Sequence, residues 1–504
     1  MALVALLGLG GSMVIIWSIL GAYRRFKFSG REEFHHGHGI PVPRLGGVAL
    51  AASFIGILIL SATIWPGCLD NQQMRKVAFF SMLMFGLGLW DDISALGARR
   101  KLLGQLLIAA AACYSGIGIY RFQIPFTHNL IDLGAWSGVV TVFWLVALTN
   151  LINLIDGTDG LAGGICLMLM LLMAYVGGAA EGMTLVTAGM VGVLLGFLRF
   201  NFPPARIYMG DGGAYFLGFL IGCLTIVSSH KGTVFAALTA PLFVLALPIL
   251  DTTLAILRRG LRGLPLFRAD RKHLHHRLLD AGLSRRQVVL VFYVFTAFFF
   301  LLGFVAFWMK GQHLELLLGI GALVVIIAAG KFSFSREWFA VGRVLGNSLS
   351  TRADIQYTLA QSRWLALEGG RSQSLNELCE DVVFIARKLG FASLRIRLED
   401  DEKVWKWATM DEKNSYRFQH KLPGHRYCFL ELAADSALPN KATLKILSDL
   451  VAEAWAKAVH VWKTKHQLQP RFDARKGSPA GEMPNPMSTL QTETVTARIE
   501  PVFE

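Results

Sequence analysis

Eleven apolar stretches, each near the length that crosses a bilayer, constrain the fold of this 504-residue chain more than any other feature. A transmembrane helix needs about 20 consecutive, predominantly apolar residues. Hydrophobic residues make up 54% of the chain and charged residues 17%, which argues against an ordinary soluble enzyme or a disordered scaffold. We therefore predict an all-α polytopic membrane protein with about eleven transmembrane helices and a small α/β domain. The stretches are 3–22, 46–65, 77–90, 102–120, 138–154, 161–177, 184–200, 214–229, 234–257, 288–308 and 313–331.

The basic residues predict which side of the membrane each connection faces. Alternate connections carry nineteen Lys and Arg residues in one set and five in the other. Cytoplasmic loops carry the excess of basic residues, so the rich set is expected to face the cytoplasm. The N-terminus is then outside, and an odd number of spans leaves residues 332–504 inside. The first stretch has no basic residue before it, so we expect a retained span rather than a signal peptide.

Two acidic motifs follow apolar stretches on the predicted cytoplasmic side. Asp91-Asp92 ends the run FFSMLMFGLGLW, and a carboxylate costs about 2.5–3.5 kcal/mol at the bilayer centre, so we expect the pair at the interface. Asn150, Asn153 and Asp156 recur every three residues before a Gly-Thr-Asp-Gly turn, which places their oxygens along one helix edge. Such oxygens are ligands that Mg²⁺ prefers. The simpler alternatives are helix-capping acids and a glycine turn between spans.

Two further loops on the same side carry groups suited to a nucleotide. Residues 201–213 read Asn-Phe-Pro-Pro-Ala-Arg-Ile-Tyr-Met-Gly-Asp-Gly-Gly, where Tyr208 could stack on a base and Asp211 could hold a metal. Residues 271–277, Arg-Lys-His-Leu-His-His-Arg, concentrate cationic donors suited to phosphate. A membrane-belt tyrosine and a topology-setting basic loop are the alternatives. Together the four segments predict Mg²⁺-assisted phosphoryl transfer from a nucleotide diphosphate.

These motifs resemble those of the polyprenyl-phosphate N-acetylhexosamine-1-phosphate transferases. Members of that family are integral membrane enzymes that move a sugar 1-phosphate from a UDP-sugar to a polyprenyl phosphate and release UMP. The resemblance covers about residues 1–331. It rests on His38-Gly-Ile-Pro-Val-Pro-Arg44-Leu-Gly-Gly, Asp91-Asp92, Asn150-x-x-Asn153-x-x-Asp156-Gly, Pro-Ala-Arg206-Ile-Tyr208-Met-Gly-Asp211 and His273-Leu-His275-His276-Arg277.

The resemblance also implies roles for individual residues. Asp91, Asp92 and Asp211 are expected to be catalytic, with Asp91 deprotonating or orienting the lipid phosphate. Asn153 and Asp211 are expected to bind Mg²⁺, for which Mn²⁺ could substitute, and Lys101 is expected to contact the lipid phosphate. The residues expected to contact the nucleotide or the sugar are Asp156, Asp159, Asn201, Tyr208, His273, His275, His276 and Arg277.

Three positions depart from the family pattern. Ala95 stands where a third acid is common, Ala214 stands where the family usually has Ser, and Tyr208 replaces a Phe. The His-Leu-His-His-Arg form resembles the N-acetylglucosamine branch more than the muramoyl-pentapeptide branch. This makes UDP-GlcNAc the first expected substrate and another N-acetylated sugar the second. Direct attack by the lipid phosphate and a covalent aspartyl intermediate are both left open.

The implied setting is the inner membrane of a bacterium, where the lipid-diphosphate-sugar product would initiate cell-envelope glycan synthesis. The expected partners are the UDP-sugar, the polyprenyl phosphate, the lipid bilayer and a second copy of the chain in a homodimer, with no nucleic acid. The alternative function is a transporter or lipid flippase with a regulatory cytoplasmic domain. Acids at matching depths on both faces would favour a transporter, whereas this sequence places them on one face.

The composition after residue 331 becomes that of a soluble protein. We expect a helical linker over 332–373, an α/β domain of outline α–β–β–α over 374–468 that faintly resembles GAF domains, and a disordered tail over 469–504. Ser374 and Glu377 form a predicted capping box for a helix that stops at Gly390. A helix over 351–367, strands over 394–398 and 427–432, and a helix over 441–463 complete the outline.

Overall fold

The chain divides into two compact units, Met1–Asn347 and Ser348–Glu504, in a computed structural model. The boundary lies within the predicted linker rather than at its start. The residues that the structure describes are 1–26, 42–64, 72–94, 96–123, 130–176, 181–229, 241–262, 274, 278–279, 281–309, 314–331, 340–398, 401–409, 415–421, 429–436 and 441–466. The predicted tail lies outside the described residues.

Each of the eleven predicted apolar stretches overlaps a helix of unit 1. Six of the described helices are long and apolar enough to cross a membrane, which is the architecture of a polytopic membrane protein. The full count of eleven spans stays a prediction. The helices are α1 Ala2–Phe26, α2 Gly46–Ile64, α3 Gln72–Ile93, α4 Ala98–Tyr114, α5 Ser137–Ile155, α6 Leu161–Val176, α7 Glu181–Asn201, α8 Gly210–Ser229, α9 Ala246–Arg262, α10 Arg285–Trp308 and α11 Leu314–Lys331.

The predicted stretch 102–120 was wrong at its C-terminal end. The helix stops at Tyr114, and the chain continues through an extended segment into an antiparallel pair, β1 Arg121–Gln123 and β2 Leu130–Asp132. Buried extended backbone needs hydrogen-bond partners, and α5 supplies them. Thr141 Oγ1 accepts from the Ile119 N–H at 2.8 Å, and Ser137 Oγ donates to the Ile119 carbonyl at 2.8 Å. Apolar composition alone could not reveal these partners.

Helix α8 lies at the centre of unit 1. It packs against α2, α3 and α5, and its Tyr215, Phe216 and Phe219 are fully buried. Glycines let the neighbouring backbones approach its first turn, since a Cβ at Gly88 of α3 would lie 2.5 Å from the Asp211 carbonyl oxygen. The first turn of α8 is therefore fixed against α3.

Glycines also permit the close crossing of α1 and α7. A Cβ at Gly192 would overlap the Ala5 carbonyl, and a Cβ at Gly8 would lie 2.5 Å from the Gly189 carbonyl oxygen. We expect Gly192→Ala to lower the thermal unfolding midpoint of the detergent-solubilised protein, because the two helices must separate. Gly10→Ala is the control, since no atom lies within 4 Å of the added Cβ. Equal midpoints for the two variants would contradict this packing.

The described part of unit 2 contains a four-stranded antiparallel sheet, two complete helices and most of a third helix that crosses the boundary between the units. The strand order is β4-β3-β6-β5, and two of these strands, β4 and β5, were absent from the predicted outline. The predicted N-cap at Ser374 is confirmed, because Ser374 Oγ accepts from the Glu377 N–H at 3.2 Å. The Glu377 carboxylate accepts from the Gln373 N–H at 2.8 Å rather than from the Ser374 N–H that a capping box uses, and Gly390 ends the helix region with φ +84°. The elements are α12 Ala340–Glu368, α13 Leu375–Lys388, β3 Ser393–Leu398, β4 Asp401–Lys406, β5 Ser415–Lys421, β6 Phe429–Asp435 and α14 Lys441–His466.

Partial burial raises the pKa of Asp381 in α13 to about 6, and the nearby carboxylates of Glu368, Glu377 and Glu380 contribute to the shift. A raised carboxyl pKa means that the ionised side chain disfavours the folded state above about pH 6, and that this penalty fades as the pH falls. We expect Asp381→Asn to raise the urea unfolding midpoint of unit 2 in the full chain at pH 8 and to have less effect at pH 5. Asp354→Asn is the control. An equal gain at both pH values would contradict the prediction.

Candidate functional site

The loop before α8 carries the chain to Asp211, the second residue of that helix. The Gly46 and Gly47 N–H groups of α2 donate to the carbonyls of Tyr208 and Met209, at 2.9 and 2.8 Å. The next residue, Gly210, has φ +74°, and a Cβ there would lie 2.8 Å from Asp92 Oδ2. A glycine is therefore required at the point where the chain turns into α8.

Three polar side chains, each from a different helix, converge around the Asp211 carboxylate of α8. Asn153 Nδ2 of α5 donates to Asp211 Oδ1 at 3.0 Å, and Lys101 Nζ of α4 donates to Asp211 Oδ2 at 3.0 Å. The same ammonium forms an ion pair with Asp91 Oδ2 of α3. The structure thus brings together Asp91, Lys101, Asn153 and Asp211, which lie up to 120 positions apart in the chain.

The two adjacent acids of α3 make different contacts. Asp91 is buried, and its Oδ1 accepts from the Leu96 N–H at 2.8 Å while its Oδ2 meets Lys101. Asp92 Oδ1 and Oδ2 accept from the N–H groups of Asp211 and Gly212, at 2.9 and 2.8 Å. Asp92 therefore caps the N-terminus of α8 and positions Asp211, a role that the resemblance did not imply.

Asp159 and Asn201 are buried and hold two loops together. Asp159 Oδ2 accepts from the Ala205 N–H at 3.1 Å. Asn201 Oδ1 accepts from the Gly160 N–H at 3.0 Å, and its Nδ2 donates to the Ile207 carbonyl at 2.9 Å. These polar atoms bind the protein's own backbone, which supports a structural role for both residues. A nucleotide contact by either residue stays a prediction.

Asp156 and Tyr208 are half-buried beside the same loops. Burial raises the pKa of the Asp156 carboxyl well above its ordinary value, and the carboxylates of Asp211 and Asp92 raise it further. Burial also raises the pKa of the Tyr208 hydroxyl, with a contribution from Asp159. Both groups are therefore near acidic side chains of the site as well as being shielded from water.

Two residues of α10 were missed by the sequence analysis. Tyr293 Oη donates to the Gly160 carbonyl at 2.6 Å, and Arg286 Nε donates to the Pro203 carbonyl at 2.8 Å. Each contact fastens one of the two loops that Asp159 and Asn201 join. The only signal for Tyr293 was a hydroxyl within an apolar run, and Arg286 was counted only as a topology-setting charge.

Of the basic motif 271–277, the structure describes only Leu274, so the roles of His273, His275, His276 and Arg277 stay predictions. The Leu274 N–H donates to Asp251 Oδ1 of α9 at 3.0 Å. This contact joins the motif's backbone to a helix that carries an acid in an apolar setting.

The converging side chains include oxygen donors of the kind that Mg²⁺ uses. Within the described part of the chain, no group of three His, Cys, Asp or Glu side chains is placed to hold a metal ion by itself. The Asp211 and Asp91 carboxylates nevertheless share one cationic group, the Lys101 ammonium, and the Asn153 amide lies against Asp211. Mg²⁺ commonly uses one or two protein carboxylates and completes its shell with water and substrate phosphates. The donors present fit that pattern.

Comparisons with known proteins find relatives that are named as sugar-phosphate transferases. Residues 74–229 match the family model described as Glycosyl transferase family 4. The probable undecaprenyl-phosphate N-acetylglucosaminyl 1-phosphate transferase of Bacillus subtilis is 37% identical over 260 residues, which is 51% of this chain and 71% of the relative. The decaprenyl-phosphate N-acetylglucosaminephosphotransferase of Mycobacterium tuberculosis strain H37Rv is 32% identical over 54% of this chain and 72% of the relative. A phospho-N-acetylmuramoyl-pentapeptide-transferase of Desulforudis audaxviator is 32% identical over 50% of this chain and 80% of the relative.

The cap on α8 predicts a stability effect at Asp92. Asp92→Ala removes both acceptors of the Asp211 and Gly212 N–H groups, and loss of a helix N-cap costs roughly 0.5–2 kcal/mol. We expect a lower thermal unfolding midpoint for Asp92→Ala and a smaller decrease for Asp92→Asn, which keeps one acceptor. The exposed Asp132→Ala in β2 is the control. A midpoint unchanged by Asp92→Ala would contradict the capping role.

Proposed function

Because the chain belongs to glycosyl transferase family 4, we propose that it transfers N-acetylglucosamine 1-phosphate from UDP-GlcNAc to undecaprenyl phosphate and releases UMP. The observation that carries the proposal is the convergence of Asp91, Lys101, Asn153 and Asp211 at the start of α8. The name of the Bacillus subtilis relative supports the choice of both substrates. The product would be the lipid-diphosphate-sugar that initiates a cell-envelope glycan.

Asp211 and Asn153 would hold Mg²⁺, and Mn²⁺ could take its place. When bound, the ion would neutralise negative charge on the pyrophosphate of the UDP-sugar. Asp92 contributes by fixing the backbone of Asp211, so its catalytic effect is that of a positioning residue.

Lys101 and Asp91 would bind and orient the lipid phosphate. The Lys101 ammonium lies between two carboxylates and is part-exposed, so an incoming phosphate could share its charge. A phosphate oxygen of the lipid would attack the sugar-linked phosphorus. The new P–O bond forms as the bond to the bridging oxygen breaks, and UMP leaves with that oxygen. This direct displacement needs mainly alignment and charge neutralisation, which the cluster supplies.

The proposed setting follows from the predicted topology. We propose that the N-terminus lies outside the inner membrane of a bacterium, and that the site and unit 2 face the cytoplasm, where the UDP-sugar is made. The bilayer and the two substrates are then the partners of unit 1. Asp91, Asn153 and Asp211, which come from three different helices, meet in one cluster around Lys101, and this arrangement supports the transferase rather than the transporter alternative.

The direct test is release of UMP by the purified full chain. With undecaprenyl phosphate, Mg²⁺ and a panel of UDP-sugars, we expect UMP with UDP-GlcNAc, loss of turnover in EDTA and recovery with added Mg²⁺ or Mn²⁺. Asp211→Asn and Asp91→Asn should each lower turnover by about 100-fold or more, because each removes charge from the aligned cluster. Asp132→Asn, at an exposed acid of β2, is the matched control.

Two outcomes would contradict the proposal. Turnover that survives both Asp211→Asn and Asp91→Asn would exclude this site. UMP release with another N-acetylated UDP-sugar and none with UDP-GlcNAc would keep the reaction and correct the donor.

A further inference from the structure

One face of α12 packs inside unit 2. Ile355, Thr358 and Leu365 are buried, and Ser362 Oγ donates to the Leu450 carbonyl of α14 at 3.5 Å. A Cβ at Gly369 would lie 2.7 Å from Ala458 Cα, so the backbones of α12 and α14 are close at this end. This face accounts for the attachment of α12 to the rest of the unit.

The opposite face of α12 is apolar as well, and it is exposed. It carries Tyr357, Trp364 and Leu367, which are 46%, 38% and 71% exposed, together with the exposed alanines Ala353 and Ala360. These five residues, here called the α12 seam, follow one another at spacings of four, three, four and three. They are offset by two residues, or about 200° around the helix, from the buried row. Burial within unit 2 therefore does not explain them.

We propose that the α12 seam pairs with the same seam of a second copy of this chain as a short parallel coiled coil. Alternation of three and four residues between apolar positions is the pattern by which two helices pack along a shared seam. Two copies that are anchored in one membrane with the same orientation have α12 running in the same direction, which favours the parallel arrangement.

Charges beside the seam are complementary in this arrangement. Arg363 immediately precedes the seam residue Trp364, and Glu368 immediately follows Leu367. In a parallel, in-register pair, a residue that precedes such a position faces the residue five places further along the other helix. Arg363 of one copy therefore comes near Glu368 of the second copy, twice by symmetry. The Glu368 side chain is 19% exposed and pairs with Arg371 of its own copy at 3.5 Å, so Arg363 of the other copy would share that carboxylate.

Membrane anchoring makes so short a seam sufficient. The five seam positions span only about two heptads, and an isolated pair of such helices would be weak. Confinement of both copies to one bilayer raises their effective concentration without any new contact. The association does not depend on the reaction performed by unit 1.

Disulfide trapping in native membranes tests the proposal on the full chain. Equivalent seam positions approach closely in a parallel pair, and a disulfide needs Cα atoms within about 7 Å. Under mild oxidation we expect Leu367→Cys to give a covalent dimer on a non-reducing gel. The parent chain, with its own cysteines, sets the background, and Glu453→Cys on the exposed side of α14 is the matched control.

Charge reversal in the Leu367→Cys background tests the register. Arg363→Glu places like charges opposite each other and should reduce the yield of covalent dimer, and adding Glu368→Arg should restore it. Trp364→Glu should abolish the dimer. Because Leu367 is 71% exposed and Arg363 is exposed, unit 2 should keep its urea unfolding midpoint in Leu367→Cys with and without Arg363→Glu.

Three results would overturn the proposal. One is no dimer above the parent background. Another is a dimer that Arg363→Glu and Trp364→Glu leave unchanged. The third is a Leu367→Cys side chain that is protected from a water-soluble maleimide in membranes yet forms no dimer, which would place the seam on the lipid surface instead.

Discussion

The N-terminus of α8 is the constraint on which the site depends. The helix is buried at the centre of unit 1, so its first N–H groups need protein acceptors. Asp92 provides two, and this fixes the backbone of Asp211 relative to α3. Because Asp91 is the neighbour of Asp92 in the same helix, the cap also fixes Asp91 on the side where Lys101 meets both Asp91 and Asp211. Of the two adjacent acids, Asp92 therefore caps α8 and Asp91 lines the site.

The second requirement is that the loops before α6 and α8 are fixed relative to each other. Asp159 and Asn201 tie the loops to each other, and Tyr293 and Arg286 tie each of them to α10. The residues that set the geometry of the site therefore come from chain segments separated by more than 100 positions. A displacement of α10 would be transmitted to both loops through these bonds.

The elements of the fold could be predicted from the sequence where the interactions that determine them are local. Each apolar stretch overlapped a helix because burial in lipid requires continuous apolar residues and internal hydrogen bonding. The Ser374–Glu377 cap was predicted because its partners lie three residues apart. The hairpin of β1 and β2 was missed because its neighbouring backbone is satisfied by Ser137 and Thr141, about 20 residues along the chain. Strands β4 and β5 were missed because their alternation of apolar and polar residues is weak, although each pairs with the strand next to it in the chain.

The sequence by itself determined the membrane architecture, the family and the identity of the side chains that could bind phosphate and metal, since those depend on composition and on motifs within short segments. Only the tertiary structure decided that Asp92 and Asn201 bind backbone while Asp91, Lys101, Asn153 and Asp211 meet one another. It also decided which of the two apolar faces of α12 is exposed. The physical reason is the same in each case, because a side chain's role depends on which distant donor, acceptor or apolar surface the fold brings within reach.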